Sequence, residues 1–252
     1  MRRIIAHRGL PQLAPENTLS AFEKMQDYQI EWFETDVSIT KDEQVIIIHD
    51  DYLDRTTNQS GPIDQATSEI VDIADAGSWF DPSFKGERIP RLEELITFIN
   101  QSRMNVNIEL KAVTGATGNR LADSLVKQLS DAIQLINPAV KVIISSFNPL
   151  MLLKMKALQP QLEYAILFEN HTIYEDWPLI VDAVGANYVH LESDALTQSL
   201  VKTVIERGYH LNVWTVNTKD RANELFNWGV EGIFTDNAEN FVAKKTVVTS
   251  YE

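Results

Sequence analysis

Short runs of apolar, mostly β-branched residues alternate along the chain with stretches whose apolar positions recur every three or four residues. The runs RIIAH (3–7), EWFETDVSI (31–39), NVNIEL (105–110), KVIISS (141–146), EYAILF (163–168), NYVHL (187–191), LNVWTV (211–216) and EGIFT (231–235) have the length and composition of buried strands. Between them, TLSAFEKMQDY (18–28), GNRLADSLVKQLSDAIQL (118–135), NPLMLLKMKAL (148–158), TQSLVKTVIERG (197–208) and TKDRANELFNWG (218–229) carry helical periodicity. In the first of these, Leu19, Phe22 and Met25 share one face and Asn17 stands where a cap is expected. Gly208 and Gly229 fall where helices end.

Eight strand-like runs, most followed by a helix, predict repeated βα units and a parallel sheet. That number closes a (β/α)8 TIM barrel, and 252 residues is a usual length for one. An open doubly wound sheet is the alternative. It normally carries a glycine-rich phosphate turn after its first strand, and HRGLPQLAPEN (7–17) is not one. One segment breaks the alternation. The turn Thr40-Lys41-Asp42-Glu43 leads into QVIIIHD (44–50), which reads as a hairpin partner of the second strand. Residues 51–90 then hold Pro, Gly, Asp and short apolar patches without regular periodicity. They read as a small inserted cap after strand 2, within a single domain spanning 1–252.

Composition narrows the partners. Hydrophobic residues make up 44%, enough for a sizeable core, and the 23% charged residues are ordinary for a globular chain. A net charge of −14 argues against nucleic acid, which needs a basic face. It still allows an anionic small molecule where cations dominate one cleft. The absence of cysteine excludes disulfides and thiolate metal sites. No signal peptide or membrane anchor is legible, so a cytoplasmic enzyme is expected.

Barrel enzymes place their chemistry at the C-terminal ends of the strands. Here the first strand ends in His7-Arg8, the second carries Glu34 and Asp36 on one side, and its hairpin partner ends in His49-Asp50. The third ends in Glu109-Leu110-Lys111, the fourth in Ser145-Ser146, the seventh in Trp214-Thr215-Val216-Asn217 and the eighth in Thr235-Asp236. Three converging carboxylates (Glu34, Asp36, Glu109) repel one another unless protons or cations intervene. All-oxygen ligation suits a hard divalent ion, Mg²⁺ or Ca²⁺. Arg8 and Lys111 beside it would form a cationic pocket for a phosphate group. His7 and His49 have the pKa range for general acid and base. These parts describe metal-assisted phosphoester chemistry. Trp214 is a candidate apolar wall for the substrate's carbon part, and Phe147 a second. His190 and Glu192 fall at the functional end without an identifiable partner; His210 starts its strand and reads as structural. Gly9 is expected to turn the backbone sharply and leave room for a phosphate. Trp79 and Phe80, in the insertion, are candidates for setting alcohol preference.

The chain resembles the glycerophosphodiester phosphodiesterase family in AHRG (6–9), PENTLSAF (15–22), ETDV (34–37), HDDYLDRTT (49–57), IPRLEEL (89–95), NIELK (107–111), SSF (145–147), VWTVN (213–217) and GIFTD (232–236). The segments follow the family's order and span nearly the whole chain. The resemblance implies a TIM barrel that hydrolyses glycerophosphodiesters to glycerol 3-phosphate and an alcohol. It implies His7 and His49 as the acid/base pair, Glu34, Asp36 and Glu109 as metal ligands, and Arg8 and Lys111 as phosphate contacts. It also implies Trp214 as a wall for the glycerol moiety. Which histidine is the base, and whether water or a glycerol hydroxyl attacks, stay open at this point. Two other functions are weighed: a phospholipase acting on a lyso- or inositol phospholipid, which needs an exposed apolar lip, and a phosphate-ester-binding barrel without catalysis.

Overall fold

The computed structural model describes residues 2–113 and 117–245. Residues 1, 114–116 and 246–252 of the expected 1–252 unit lie outside the described residues. The strands are β1 (Arg3–His7), β2 (Trp32–Ile39), β3 (Val45–Ile47), β4 (Asn105–Leu110), β5 (Val142–Ser146), β6 (Glu163–Phe168), β7 (Tyr188–Glu192), β8 (His210–Trp214) and β9 (Gly232–Thr235). They pair in the order β1-β9-β8-β7-β6-β5-β4-β2-β3, and an additional β1–β2 pairing closes the ring. Every pair is parallel except β2–β3. The chain therefore forms a (β/α)8 TIM barrel, with β3 as the hairpin partner expected from QVIIIHD.

The helices are α1 (Leu19–Lys24), α2 (Ser68–Asp72), α3 (Leu92–Ser102), α4 (Gly118–Ile133), α5 (Pro149–Leu158), α6 (Trp177–Val184), α7 (Gln198–Glu206) and α8 (Lys219–Trp228). The largest apolar cluster lies between helices and sheet, with Leu95, Ile99, Leu121, Leu125, Leu152, Val181, Val201 and Leu225 facing the outward strand residues. A smaller cluster of Ile5, Trp32, Ile143, Ala165, Tyr188 and Phe234 fills the barrel interior. Strands buried on both faces read as continuous apolar runs for that reason. The segment 51–90 gathers Leu53, Ile63, Val71, Ala74 and Ile89 against Ile46 and Ile48, a separate small core on the β3 side of the barrel.

Two local details differ from expectation. Thr18, not Asn17, caps α1, accepting a hydrogen bond from the Ala21 amide. Asn17 has a positive φ of 55° and is 3% exposed; its carboxamide turns inward to the carboxylates described below. At Gly9, φ is +88°, as a sharp turn requires, but the close approach is to α1 and not to a ligand. A Cβ there would lie 2.8 Å from Ala21 Cβ and 2.9 Å from the Ala21 carbonyl carbon. Gly9→Ala is therefore expected to destabilise the chain by at least about 1 kcal/mol. It would also move the Arg8 loop, so thermal unfolding and turnover should fall together.

Candidate active site

The register of the strands sets the site. His7 lies beside Glu34 across β1–β2, Glu34 beside Asn107 and Asp36 beside Glu109 across β2–β4, and Glu109 beside Ser145 across β4–β5. After Glu34 the β2 strand leaves β1 and turns to pair with β3. Into the opening comes Arg8, at a positive φ of 57°, with its amide bonded to Glu34 Oε2 at 3.1 Å. Such a backbone conformation is uncommon for a residue with a side chain and is found at sites where surrounding contacts hold it.

A cavity of about 380 Å³ opens at this C-terminal end of the barrel, lined by His7, Arg8, Glu34, His49, Glu109 and Lys111 on one side. Phe147, Leu167, Glu169, Trp214, Thr215 and Phe234 line the rest, with Asn107 and Ser145. Asp36 lies just below, fully buried, and completes the carboxylate group. The structure thus brings His7, Arg8, Glu34, Asp36, His49, Glu109, Lys111 and Trp214 to one place. Trp214 stacks edge-to-face on Phe147, with ring centroids 5.5 Å apart. A larger hollow of about 790 Å³, between Arg3, Lys141 and Tyr188, lies at the opposite end of the barrel. It holds none of these groups and occupies the face that serves stability in barrel enzymes.

Each histidine is oriented by a carboxylate. His7 Nδ1 is 2.7 Å from Asp236 Oδ1, and His49 Nδ1 is 2.7 Å from Asp50 Oδ1. His7 Nε2 lies 3.9 Å from Glu34 Oε2. A carboxylate on Nδ1 fixes the tautomer that leaves Nε2 free for proton transfer. Burial pulls His49 below its ordinary value of 6.5; Arg8 and Lys111 add to this, against the upward pull of Asp36 and Asp50.

The three carboxylates differ in state. Burial pushes Glu34 well above the carboxylate range, and repulsion from Asp36 and Glu109 adds to it. Glu109 is raised to about 7, by burial first and then by Asp36. Burial acts on Asp36 in the same direction, but the charges of Arg8, Lys111 and His49 and the Asn17 hydrogen bond outweigh it and hold Asp36 at about 2. Arg8 Nε is 3.5 Å from Asp36 Oδ2, Lys111 Nζ is 3.8 Å from Asp36 Oδ1, and Lys111 Nζ is 2.9 Å from Glu109 Oε1.

This donor set fits a hard divalent ion. Single oxygens of Glu34, Asp36 and Glu109 lie within 4.8 Å of one another. Asp36 Oδ1 is buried without a hydrogen-bond partner among the described residues. Buried carboxylates so close are stable together only with protons or an added cation, and three oxygen ligands match Mg²⁺ or Ca²⁺ chemistry.

Several site residues were quoted in motifs but given no role in the site from the sequence. Asn17 donates to Asp36 Oδ2 at 2.8 Å and accepts from the Thr35 hydroxyl at 2.8 Å. Glu16 accepts from Arg8 at 2.9 Å. Arg55, in the segment 51–90, makes two hydrogen bonds to Asp50 (2.6 and 2.8 Å) and two to Glu16 (2.9 and 2.7 Å). One guanidinium thereby links the His49 partner to the Arg8 partner. Asp236, which orients His7, also accepts from Asn217 at 2.8 Å. Asp50 and Arg55 share the HDDYLDRTT motif with His49, and Asn217 shares VWTVN with Trp214; Asp236 was marked only by its strand end, and nothing local marked Glu16 and Asn17 as site residues.

Other expectations need correcting. His190 is fully buried inside the barrel and does not line the cavity; its Nε2 faces Asn212 Nδ2 at 3.0 Å, and burial lowers it to about 3. Glu192 accepts from the Asn170 amide at 2.9 Å. Trp79 and Phe80 pack on each other and, through Phe80, on Phe84, and do not line the cavity, whose wall away from the charged groups includes Phe147, Leu167, Glu169 and Thr215. His210 pairs with Glu231 at 2.7 Å at the start of its strand, consistent with a structural place.

Fold and site define a barrel enzyme equipped for phosphoester chemistry. Residues 7–240 match the model of the Glycerophosphoryl diester phosphodiesterase family. The chain is 35% identical to a glycerophosphodiester phosphodiesterase of Caldanaerobacter subterraneus subsp. tengcongensis, over 95% of this chain and 96% of that one. It is 31% identical to one of Bacillus altitudinis, over 94% and 95%. Among solved structures, a phosphodiesterase of Oleispira antarctica in complex with the product sn-glycerol-3-phosphate superposes with a TM-score of 0.86 at 30% identity, covering 93% of this chain and 92% of that one. The chain belongs to the glycerophosphoryl diester phosphodiesterase family. No helix among the described residues is long and apolar enough to cross a membrane.

Proposed function

We propose that this enzyme hydrolyses glycerophosphodiesters to glycerol 3-phosphate and an alcohol, with His7 and His49 as the acid/base pair. The observation that carries the reading is the paired geometry of the histidines. Each has Nδ1 held by a carboxylate at 2.7 Å, and both line the cavity that contains Arg8, Lys111 and the carboxylate group. Glu34, Asp36 and Glu109 would hold Mg²⁺ or Ca²⁺, which when bound would neutralise their charge and polarise phosphoryl oxygens. Arg8 binds a non-bridging oxygen through its guanidinium and Lys111 contributes a point charge, so both stabilise charge that builds during transfer. Trp214 and Phe147 form the apolar wall beside the carbon chain.

His49, lowered below 6.5, is neutral at pH 7, and its Nε2 lone pair takes a proton from the attacking oxygen. His7 protonates the leaving alcohol. The sign of the pH dependence follows: protonation of His49 removes the base, so kcat/KM falls as pH drops through a midpoint below 6.5. An acid limb that persists unchanged in the residual activity of His49→Gln contradicts this assignment. Trapping a cyclic phosphate under single-turnover conditions assigns the attack to the neighbouring glycerol hydroxyl; direct formation of glycerol 3-phosphate assigns it to water.

Arg55 supports both halves of this machinery as a positioning residue. Arg55→Ala leaves Glu16 and Asp50 without their shared partner and is expected to lower kcat/KM by about 10- to 100-fold. Arg55→Lys, with the charge but not the double fork, restores only part of it. Equal turnover in all three proteins contradicts the role.

A second reading has its own observation. Phe147, which lines the cavity, is 38% exposed, and Leu150 and Leu153, in the first half of the α5 helix that follows it, are 63% and 41% exposed. A lysophospholipid would place its chain there. Assaying glycerophosphocholine against lysophosphatidylcholine separates the two, and the primary reading expects the former to be the better substrate.

A further inference from the structure

Three residues that line the cavity carry a buried polar atom without a hydrogen-bond partner among the described residues: Arg8 Nε, which lies 3.5 Å from Asp36 Oδ2, and Asn107 Oδ1 and Trp214 Nε1, which have no charged neighbour of that kind. Asn107 is 1% exposed, and its carboxamide nitrogen donates to Ser145 Oγ at 2.8 Å, which fixes the side chain and leaves the oxygen unpaired. If the carboxamide were turned over, its nitrogen would be the unpaired atom. A buried amide or indole group left unpaired is costly, so such atoms mark where another molecule supplies the missing hydrogen bond.

The two groups stand on facing walls. In the closed ring, β4 and β8 are separated by β5, β6 and β7, half the circumference. Asn107 sits two residues before Glu109 on the same side of β4, in register with Glu34 and roughly 6–7 Å below Glu109 along the strand. A hydroxyl is the small neutral group that both donates and accepts, so it satisfies either face of the Asn107 carboxamide and can also accept from an indole N–H. With phosphorus held at the rim by Arg8 and Lys111, the hydroxyl of the glycerol moiety farthest from phosphorus reaches deepest.

We propose that Asn107, anchored by Ser145, binds the terminal hydroxyl of the glycerol moiety, with Trp214 Nε1 as the opposing donor, and selects glycerol over its terminal deoxy analogue. The inference rests on the glycerophosphodiester reading of the same site. It makes Asn107 a determinant of selectivity, and gives Trp214 a polar function besides its apolar wall.

The test compares glycerophosphocholine with 2-hydroxypropyl phosphocholine, which lacks the terminal hydroxyl but keeps the one next to the phosphate-bearing carbon. The native enzyme is expected to prefer the glycerol diester by about tenfold or more in kcat/KM, because the analogue leaves the Asn107 oxygen unpaired. In Asn107→Ala and Asn107→Leu, kcat/KM for the glycerol diester falls by more than that for the analogue, and the ratio moves towards one. Calorimetric binding of sn-glycerol 3-phosphate against 2-hydroxypropyl phosphate by the native enzyme gives the same preference without any variant. Unchanged selectivity in the variants overturns the inference while leaving the hydrolytic reading intact. So does an equal loss on both substrates, which would make Asn107 a support for Glu109 alone, or equal binding of the two phosphates. Failure of the native enzyme to hydrolyse either diester overturns the hydrolytic reading, and the inference with it.

Discussion

Replacing His7 or His49 by alanine is expected to lower kcat by about 10²- to 10⁴-fold, the range that a positioned proton donor or acceptor supplies. The double variant should cost little more than the worse single one, because attack and departure need both groups and residues acting as a unit are not additive. Substrate binding should change little, since Arg8 and Lys111 are untouched. The two partners offer a finer check. Asp236→Asn and Asp50→Asn keep the side-chain volume but can present an N–H to Nδ1, which favours the wrong tautomer of His7 or His49. Steady-state kinetics with separate kcat and KM reads all of these. Near-normal turnover in both His7→Ala and His49→Ala would remove the acid/base assignment.

The second large effect concerns the three buried carboxylates, whose amide variants should separate in stability while agreeing in activity. All three substitutions are expected to reduce turnover by at least about 10²-fold, as loss of a strong electrostatic contact at the reacting centre does. With chelator present, Asp36→Asn should be destabilised by on the order of 3 kcal/mol, because it leaves Arg8 and Lys111 buried without the carboxylate that both face. For a chain this long that corresponds to a fall of roughly 6–12 °C in Tm. Glu34→Gln and Glu109→Gln should be neutral or stabilising under the same conditions. Burial and mutual repulsion already push both carboxyls upward, and glutamine keeps an oxygen for the Arg8 amide or the Lys111 ammonium. Thermal unfolding in chelator measures the difference, and equal destabilisation of all three variants contradicts it.

Much of the fold was legible because burial on both faces of a parallel barrel strand leaves a plain apolar run, and each run ended in polar residues at one rim. The hairpin partner was legible from the turn at 40–43. The helices α3 and α6 were not singled out, although Leu92, Leu95, Ile96 and Ile99, and Trp177, Val181 and Val184, have helical spacing and are buried. For α6, eight residues with Pro178 at its start give too short a pattern to distinguish from a loop. The singled-out site residues were legible because a charge at the end of an apolar strand is costly unless it has a task. Asn17, Asp50, Arg55 and Asp236 sit in loops or at loop junctions, where polar residues are ordinary, and only their distances reveal what they hold. His190 misled for the converse reason. Strand position placed it near the rim, but its ring packs against Tyr188 and Phe234 inside the barrel. Gly9 was read correctly as a turn, yet its crowding comes from Ala21, a neighbour that strand periodicity does not reveal.

The central claim is that this chain cleaves glycerophosphodiesters at a site completed by a divalent ion on Glu34, Asp36 and Glu109. Its most direct test measures release of glycerol 3-phosphate from glycerophosphocholine and glycerophosphoethanolamine by the purified chain, with chelator and then with excess Mg²⁺ or Ca²⁺. The account predicts release that chelator abolishes and one of the two ions restores, and no restoration in Asp36→Asn. Release unaffected by chelator, or no glycerol 3-phosphate from either diester under any of these conditions, would contradict it.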